Sequence, residues 1–291
     1  MMAETIHQEF SPILDSLERV HYGSLMEWGR LSVLPLLGPD QSDLKVKTLE
    51  TASRDGDLLI QELDSASVSE VTVLNRADQS VFGMDGEELV GARQNRVLNL
   101  SVLFPAREEV TVPVSCIEEG RWAGGGRFRV GKMHNARARA RRQAKVSQSI
   151  KETGSAHSDQ REVWRDVRAK QASMSVSSHS RDLSKVYEVN KDPLDRYTER
   201  FPAQEDQIGG FFFIEGLIGL ELFSDHLVFE ELYPKILDAY AIEAMEDSVG
   251  PRDCLRKASD LERKLAHVNW DRNQIVGIGE NWRFDSNLMA A

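Results

Sequence analysis

An α+β fold is what this sequence predicts: a β-rich N-terminal half, built as a sandwich or partly open barrel, packed with a helix-rich C-terminal half. Three observations carry the prediction. Up to Glu118, short β-branched and apolar runs recur between turn signals, about seven strands in all. From about Ala136 the composition shifts to alanine, arginine and glutamine, which favour helix. Residues 208–222 then form an apolar run broken at Glu215-Gly216, a hairpin signal, with long helical patterns behind it. The chain reads as one domain over 1–291, β-rich over 22–122 and mostly helical over 123–291.

Ser11-Pro12 opens a short helix through Ile13, Leu14, Leu17 and Val20, with Ser11 as N-cap and Pro12 at N1, where its missing N–H is no loss. Leu25 to Leu37 reads as a strand interrupted at Pro35, and Leu44 to Thr51 alternates like another. Asp55-Gly56 turns the chain into Leu58 to Leu63, and Val68 to Leu74 follows. Asp85-Gly86 lies between Val81-Phe82-Met84 and Glu87 to Val90, the pattern of a type I′ hairpin. From Gln94 the chain alternates, with Arg96, Leu98, Leu100, Val102 and Phe104 on one face and Asn95, Val97, Asn99 and Ser101 on the other. Val110, Val112, Val114 and Cys116 share a face of the next strand, in which Pro113 argues for an edge or a bulge. Amphipathic helices are expected over 161–171 and 255–268, a short one from Leu183, and a longer one from Leu227 to Glu246 with Pro234 near its start. Ile275 to Ile278 and Trp282 to Phe284 supply terminal strands.

Composition excludes several classes. The chain has 291 residues, 41% hydrophobic and 29% charged, with a net charge of −11, which argues against a general nucleic-acid binder. No run approaches the roughly 20 apolar residues of a membrane helix, and MMAETIHQEF lacks the basic and apolar regions of a secretory leader. Two cysteines, Cys116 and Cys254, cannot build a disulfide framework, so a reducing cytoplasm is expected. The seven histidines have no ligand spacing, no serine sits in a nucleophile elbow, and neither metal nor cofactor is expected. One region departs from the acidic balance: Arg121, Arg127, Arg129, Lys132, Arg137, Arg139, Arg141, Arg142 and Lys145 fall in a stretch with no acid from Gly120 to Lys151. It reads equally as a site for phosphate, because arginine forks match phosphate oxygens, or as a solvated basic helix, with docking on the protein's own acidic surface a variant of that second reading. Its Gly124-Gly125-Gly126 run has neither dinucleotide-fingerprint spacing nor a phosphate-loop lysine.

The stretch Asp85 to Trp122 holds the densest chemistry. Glu87 and Glu88 open a strand, so their side chains face opposite ways, and each is either a proton-transfer or ribose-holding group or a solvated turn carboxylate. Gln94, Asn95, Arg96 and Asn99 are costly to bury unpaired, so they form an internal network or face a ligand. Cys116 shares the valine face and reads better as a packed cysteine than as a nucleophile. Glu118, Glu119 and Arg121 suit acid–base or phosphate roles and equally an ion pair, and Trp122 either stacks on a base or caps the core.

GEELVGARQNRVLNLSVLFP followed by VPVSCIEEGRW resembles the ARG and rhodanese-phosphatase-superfamily-associated protein domain family, and YGSLMEW, QREVW and AQEDQIGGFFFIEGLIGLELFS extend the similarity across most of the chain. The resemblance implies a setting in NAD and ADP-ribose metabolism, and it favours a ligand-facing or site-supporting role for Gln94, Asn95, Arg96 and Asn99. The expected function is a cytoplasmic protein acting on or sensing an ADP-ribose-type nucleotide. Gln94, Asn95 and Arg96 would orient the ligand, Arg121 would hold phosphate, and Glu88 or Glu118 would transfer protons. The alternative is a non-enzymatic module whose basic segment, 121–145, binds a protein or RNA partner; nucleic acid is not expected except through 127–145, and no membrane partner is expected.

Overall fold

The computed structural model describes residues 12–63, 69–121, 126–177, 181–274 and 276–284. In chain order the first part holds α1 (Pro12–Leu17), β1 (His21–Tyr22), β2 (Met26–Trp28), β3 (Leu31–Leu37), β4 (Lys47–Thr48), α2 (Leu49–Arg54), β5 (Leu58–Glu62), β6 (Glu70–Asn75), β7 (Val81–Gly83), β8 (Glu87–Gly91), β9 (Arg96–Leu98), β10 (Val102–Phe104), β11 (Glu109–Cys116) and β12 (Phe128–Met133). The second holds α3 (Ala136–Thr153), α4 (Gln160–Ser173), α5 (Ser184–Val189), α6 (Lys191–Arg200), β13 (Gln207–Ile214), β14 (Leu217–Leu222), α7 (His226–Ala244), α8 (Cys254–Leu265), β15 (Asp271–Gln274) and β16 (Glu280–Arg283). Strands dominate the first half and helices the second, as the composition shift predicts.

The valine-rich strands assemble a six-stranded sheet in the order β12-β8-β9-β11-β6-β5. Its inward residues Leu89, Leu98, Val71, Val73, Val112 and Val114 pack on Leu49 and Ala52 of α2 and on β7 and β10. The sheet curls until β12 touches β5, giving a partly open barrel. A second sheet joins the two halves of the chain. β13 pairs with β3 on one side and with β14 on the other, Gly216 supplying the positive φ at the hairpin turn. All eight residues of β13 are buried because α7 covers one face while α1 and α8 cover the other. A β-carbon at Gly219 would lie 1.8 Å from the Tyr240 hydroxyl, so the glycine is what lets α7 settle on the sheet. α7 is buried nearly all round, and Asp225 caps it through Leu227 N and Val228 N. Among the described residues no helix is long and apolar enough to cross a membrane.

Several local expectations are corrected. The alternation over 44–51 forms only β4, because the Thr48 hydroxyl accepts the Thr51 N–H at 3.1 Å and starts α2. Between Leu25 and Leu37 the break falls at Gly29 (φ 61°), and β3 runs through Pro35. Asp85-Gly86 closes no hairpin: β7 pairs with β4 and β10, and β8 pairs with β9 and β12. The pair instead passes the chain from one sheet to the other, Gly86 donating to Leu98 O and accepting from His134 N. The strand expected from Gln94 to Phe104 splits into β9 and β10, in different sheets. Pro113 lies in an interior strand. Its carbonyl accepts from Asn99 N, while the Asn99 carbonyl opposite its ring is satisfied by the Gln143 side chain at 2.8 Å. The terminal strands lie at 271–274 and 280–283; Ser11 and Ile275 fall outside the described residues.

Candidate functional site

The polar side chains around β9 are buried and bond largely to one another, Arg96 Nε being left without a partner among the described residues. Arg96 is 1% exposed; its Nη1 donates to Gln94 Oε1 at 3.1 Å and to Cys116 Sγ, and its Nη2 lies 3.6 Å from Glu62. Gln94 Nε2 donates to Glu118 O, and Asn95 N donates to the Glu118 carboxylate. Arg121 grips that carboxylate with Nε at 2.8 Å and Nη2 at 2.6 Å, and also reaches Ala92 O and Asn95 Oδ1. Asn99 donates to Ala156 O and accepts from Ser115. The network pins the β8–β9 connection, with Ala92 at φ 45°, onto the end of β11. Burial pushes the Cys116 thiol up to about 11, more than the Arg96 charge lowers it, as befits a packed cysteine. Glu119 holds Arg168 and Arg181. Trp122 lies outside the described residues.

Glu87 and Glu88 do face opposite ways, and both are fully buried. Glu87 accepts Met84 N at 2.9 Å and Lys235 Nζ at 3.0 Å. Burial pulls Lys235 down, but Glu87 and Glu50 outweigh it and raise its pKa. Glu88 is different. Its Oε2 accepts from Ser184 Oγ at 3.0 Å and a carboxylate oxygen takes the Lys132 backbone N–H, while Oε1 has no hydrogen-bond partner. Burial, followed by the charge of Asp182, raises its pKa to about 7, against the lowering from Ser184, Lys132 N–H and Lys235. Local geometry makes the room. The β8–β12 ladder shifts register between Val130 and Met133, and a β-carbon at Gly131 would sit 3.1 Å from Glu88 Cβ and 2.6 Å from Val90 Cγ2.

Glu88 is among the residues that line a cavity of about 260 Å³, with Lys132, Ser184, Tyr187, Lys191 and Asp238. A second cavity of about 470 Å³ adjoins it, lined by Thr48, Thr51, Arg54, Glu231 and Lys235. Arg129, Gly131, Lys132 and Asp238 border both. Lys132 Nζ meets Asp238 at 2.8 Å, and burial raises the Asp238 pKa against that pairing. The structure thus brings Glu88 to a cavity and places Gln94, Asn95, Arg96, Asn99, Glu118 and Arg121 in the network beside it. Ser184, Tyr187, Lys191 and Asp238 escape a sequence reading, because nothing local marks helical residues so distant from Glu88.

The basic segment docks largely on the protein's own acids. Arg137 pairs with Glu243 and Asp247, Arg139 with Asp85 and Glu221, Arg141 with Asp166, and Lys145 approaches Glu162. Arg142 is buried against His134. Asp40, Asp225 and His226 converge closely enough to suit a cation, but Lys45 already sits 3.0 Å from Asp225 and the Asp225 carboxylate caps α7.

A family model described as the ARG and Rhodanese-Phosphatase-superfamily-associated Protein domain matches residues 19–291. The chain belongs to this family. No curated protein and no solved structure matches the chain. Within the family domain, the partly open barrel, the Glu88 cavity and the buried network all fall inside the matched residues.

Proposed function

We propose that this family member binds a nucleotide-type ligand, ADP-ribose or a related NAD-derived product, in the Glu88 cavity, with Glu88 as the proton-transfer group. The observation that carries the reading is one carboxyl group: fully buried, poised at about 7, with one oxygen unpartnered beside a cavity. A group with that pKa gives and takes a proton with little driving-force penalty near neutrality. Its unpartnered oxygen can accept from a ribose hydroxyl or an attacking water. Glu118, the other carboxylate singled out, is already held by Arg121 and Asn95 N, which leaves Glu88 as the acid–base group. Of the cations that line the cavity, Lys132 pairs with Asp238 and Lys191 with Asp195, which leaves Arg129, with no ion pair among the described residues, to face an anionic ligand.

A thermal-shift series against NAD, ADP-ribose, cyclic ADP-ribose and simple nucleotides tests the reading, with Glu88→Gln alongside. A ligand at 100 times its Kd adds about 2.7 kcal/mol of stability. A shift in wild type, with turnover of the stabilising nucleotide followed by chromatography and lost in Glu88→Gln, is the expected result. Silence with every nucleotide sinks the proposal and favours the interaction module.

A further inference from the structure

The two adjoining cavities differ in chemistry. The smaller cavity is lined by Glu88 and Ser184, whose hydroxyl donates to the Glu88 carboxylate, residue types that suit ligand hydroxyl groups. At about 260 Å³ it falls below the roughly 300–1,000 Å³ that hold drug-sized ligands, whereas the adjoining cavity, at about 470 Å³, falls inside that range. The larger cavity has acids and cations in near balance, but its acids are engaged. Glu231 accepts from the Thr48 and Thr51 hydroxyls, Glu50 pairs with Lys235, and Asp238 pairs with Lys132. Its arginines are less committed. Arg129 is exposed and makes no ion pair among the described residues. Arg54 donates to Thr51 Oγ1 and approaches a carboxylate, Asp55, only at 4.0 Å.

We infer that the cavity bounded by Thr51, Arg54 and Arg129 is the anion subsite of a two-part ligand. A phosphate or diphosphate lies between the two guanidinium forks, and the hydroxyl-bearing part reaches past the Lys132–Asp238 pair to Glu88. The inference rests on the nucleotide reading above and adds to it where the phosphates go. A bidentate arginine fork matches phosphate oxygens, and two forks flanking one cavity suit a diphosphate better than a neutral sugar.

Calorimetric titration of ADP-ribose into the full chain tests it, at an ionic strength of roughly 0.15 M, where charges more than about 8 Å apart are screened. Arg54→Met removes a fork from the larger cavity alone, and Lys191→Met alters the Glu88 cavity alone; both side chains are exposed, so the fold is expected to survive, and each apo Tm is checked. Both variants are expected to raise Kd, Arg54→Met at least tenfold. Adding Arg129→Met should raise Kd further, and free ribose should bind wild type and Arg54→Met equally. If Arg54→Met binds ADP-ribose as wild type does while Lys191→Met is weakened, the two-part site is overturned and the nucleotide reading stands. If wild type does not bind ADP-ribose, both fall.

Discussion

Replacing Glu88 with glutamine removes a titration and leaves a side chain of the same shape. Folding lifts this carboxyl from its ordinary 4.5 to about 7, chiefly by burial. A raised carboxyl pKa means that the native state holds the proton more tightly than the unfolded chain. The favourable contribution is therefore complete below about 4.5, declines as pH rises towards 7, and is gone above it. The shift corresponds to about 3 kcal/mol at pH 8 and less than about 1 kcal/mol at pH 5, since each pKa unit is worth roughly 1.4 kcal/mol. Glu88→Gln should consequently gain about 2 kcal/mol on wild type between pH 5 and pH 8, or roughly 4 °C in Tm for a chain of this size. How well the amide fits the site shifts both pH values alike and drops out of the comparison. Urea denaturation at both pH values reads the difference directly. A wild-type-to-variant gap that does not change with pH would refute the claim that Glu88 is buried and poised near neutrality.

Lys235→Met leaves Glu87 buried without its cation and should cost about 3–5 kcal/mol in urea denaturation, most of it recovered in the double variant with Glu87→Gln. Gln143→Ala strips the Asn99 carbonyl of its donor opposite Pro113 and should cost about 1–3 kcal/mol, whereas Gln143→Glu, which keeps the shape but not the amide donor, should be no milder. Neither Cys116 nor Cys254 should react with an aromatic disulfide reagent at pH 8 until guanidinium unfolds the chain, whereupon two thiols should titrate. Prompt native reaction at Cys116 would contradict its place against Arg96.

The fold class was legible because it rests on local signals: alternation in the first half, helix-forming composition and amphipathic spacing in the second. The hairpin at 207–222 was legible for the same reason, its apolar strands meeting at a glycine turn. Asp85-Gly86 misled because a turn signal specifies a reversal of the chain and not which strands pair beyond it. That choice was made by β10 and β12, which lie further along the sequence. At the candidate site, strand geometry put Glu87 and Glu88 on opposite faces. It could not set their environments, because Ser184 lies 96 residues from Glu88 and Lys235 lies 148 from Glu87. Gln94, Arg96 and Asn99 were recognised as expensive to bury, which is what they are. Their partners Cys116, Glu118 and Ser115 stand on the neighbouring stretch, so the internal network was half visible from sequence.

The pairing of β3 with β13 has a consequence for biosynthesis. Leu34 and Phe211 are register partners, so β3 leaves the ribosome long before the strand that covers its edge exists. At bacterial-to-eukaryotic elongation rates the wait is on the order of ten seconds or more. β1, β2 and α1 precede β3 and can meet it at once, but throughout that interval the edge taken by β13 and the face covered by α7 stay open, a natural client for ribosome-associated chaperones and a seed for aggregation if translation stalls.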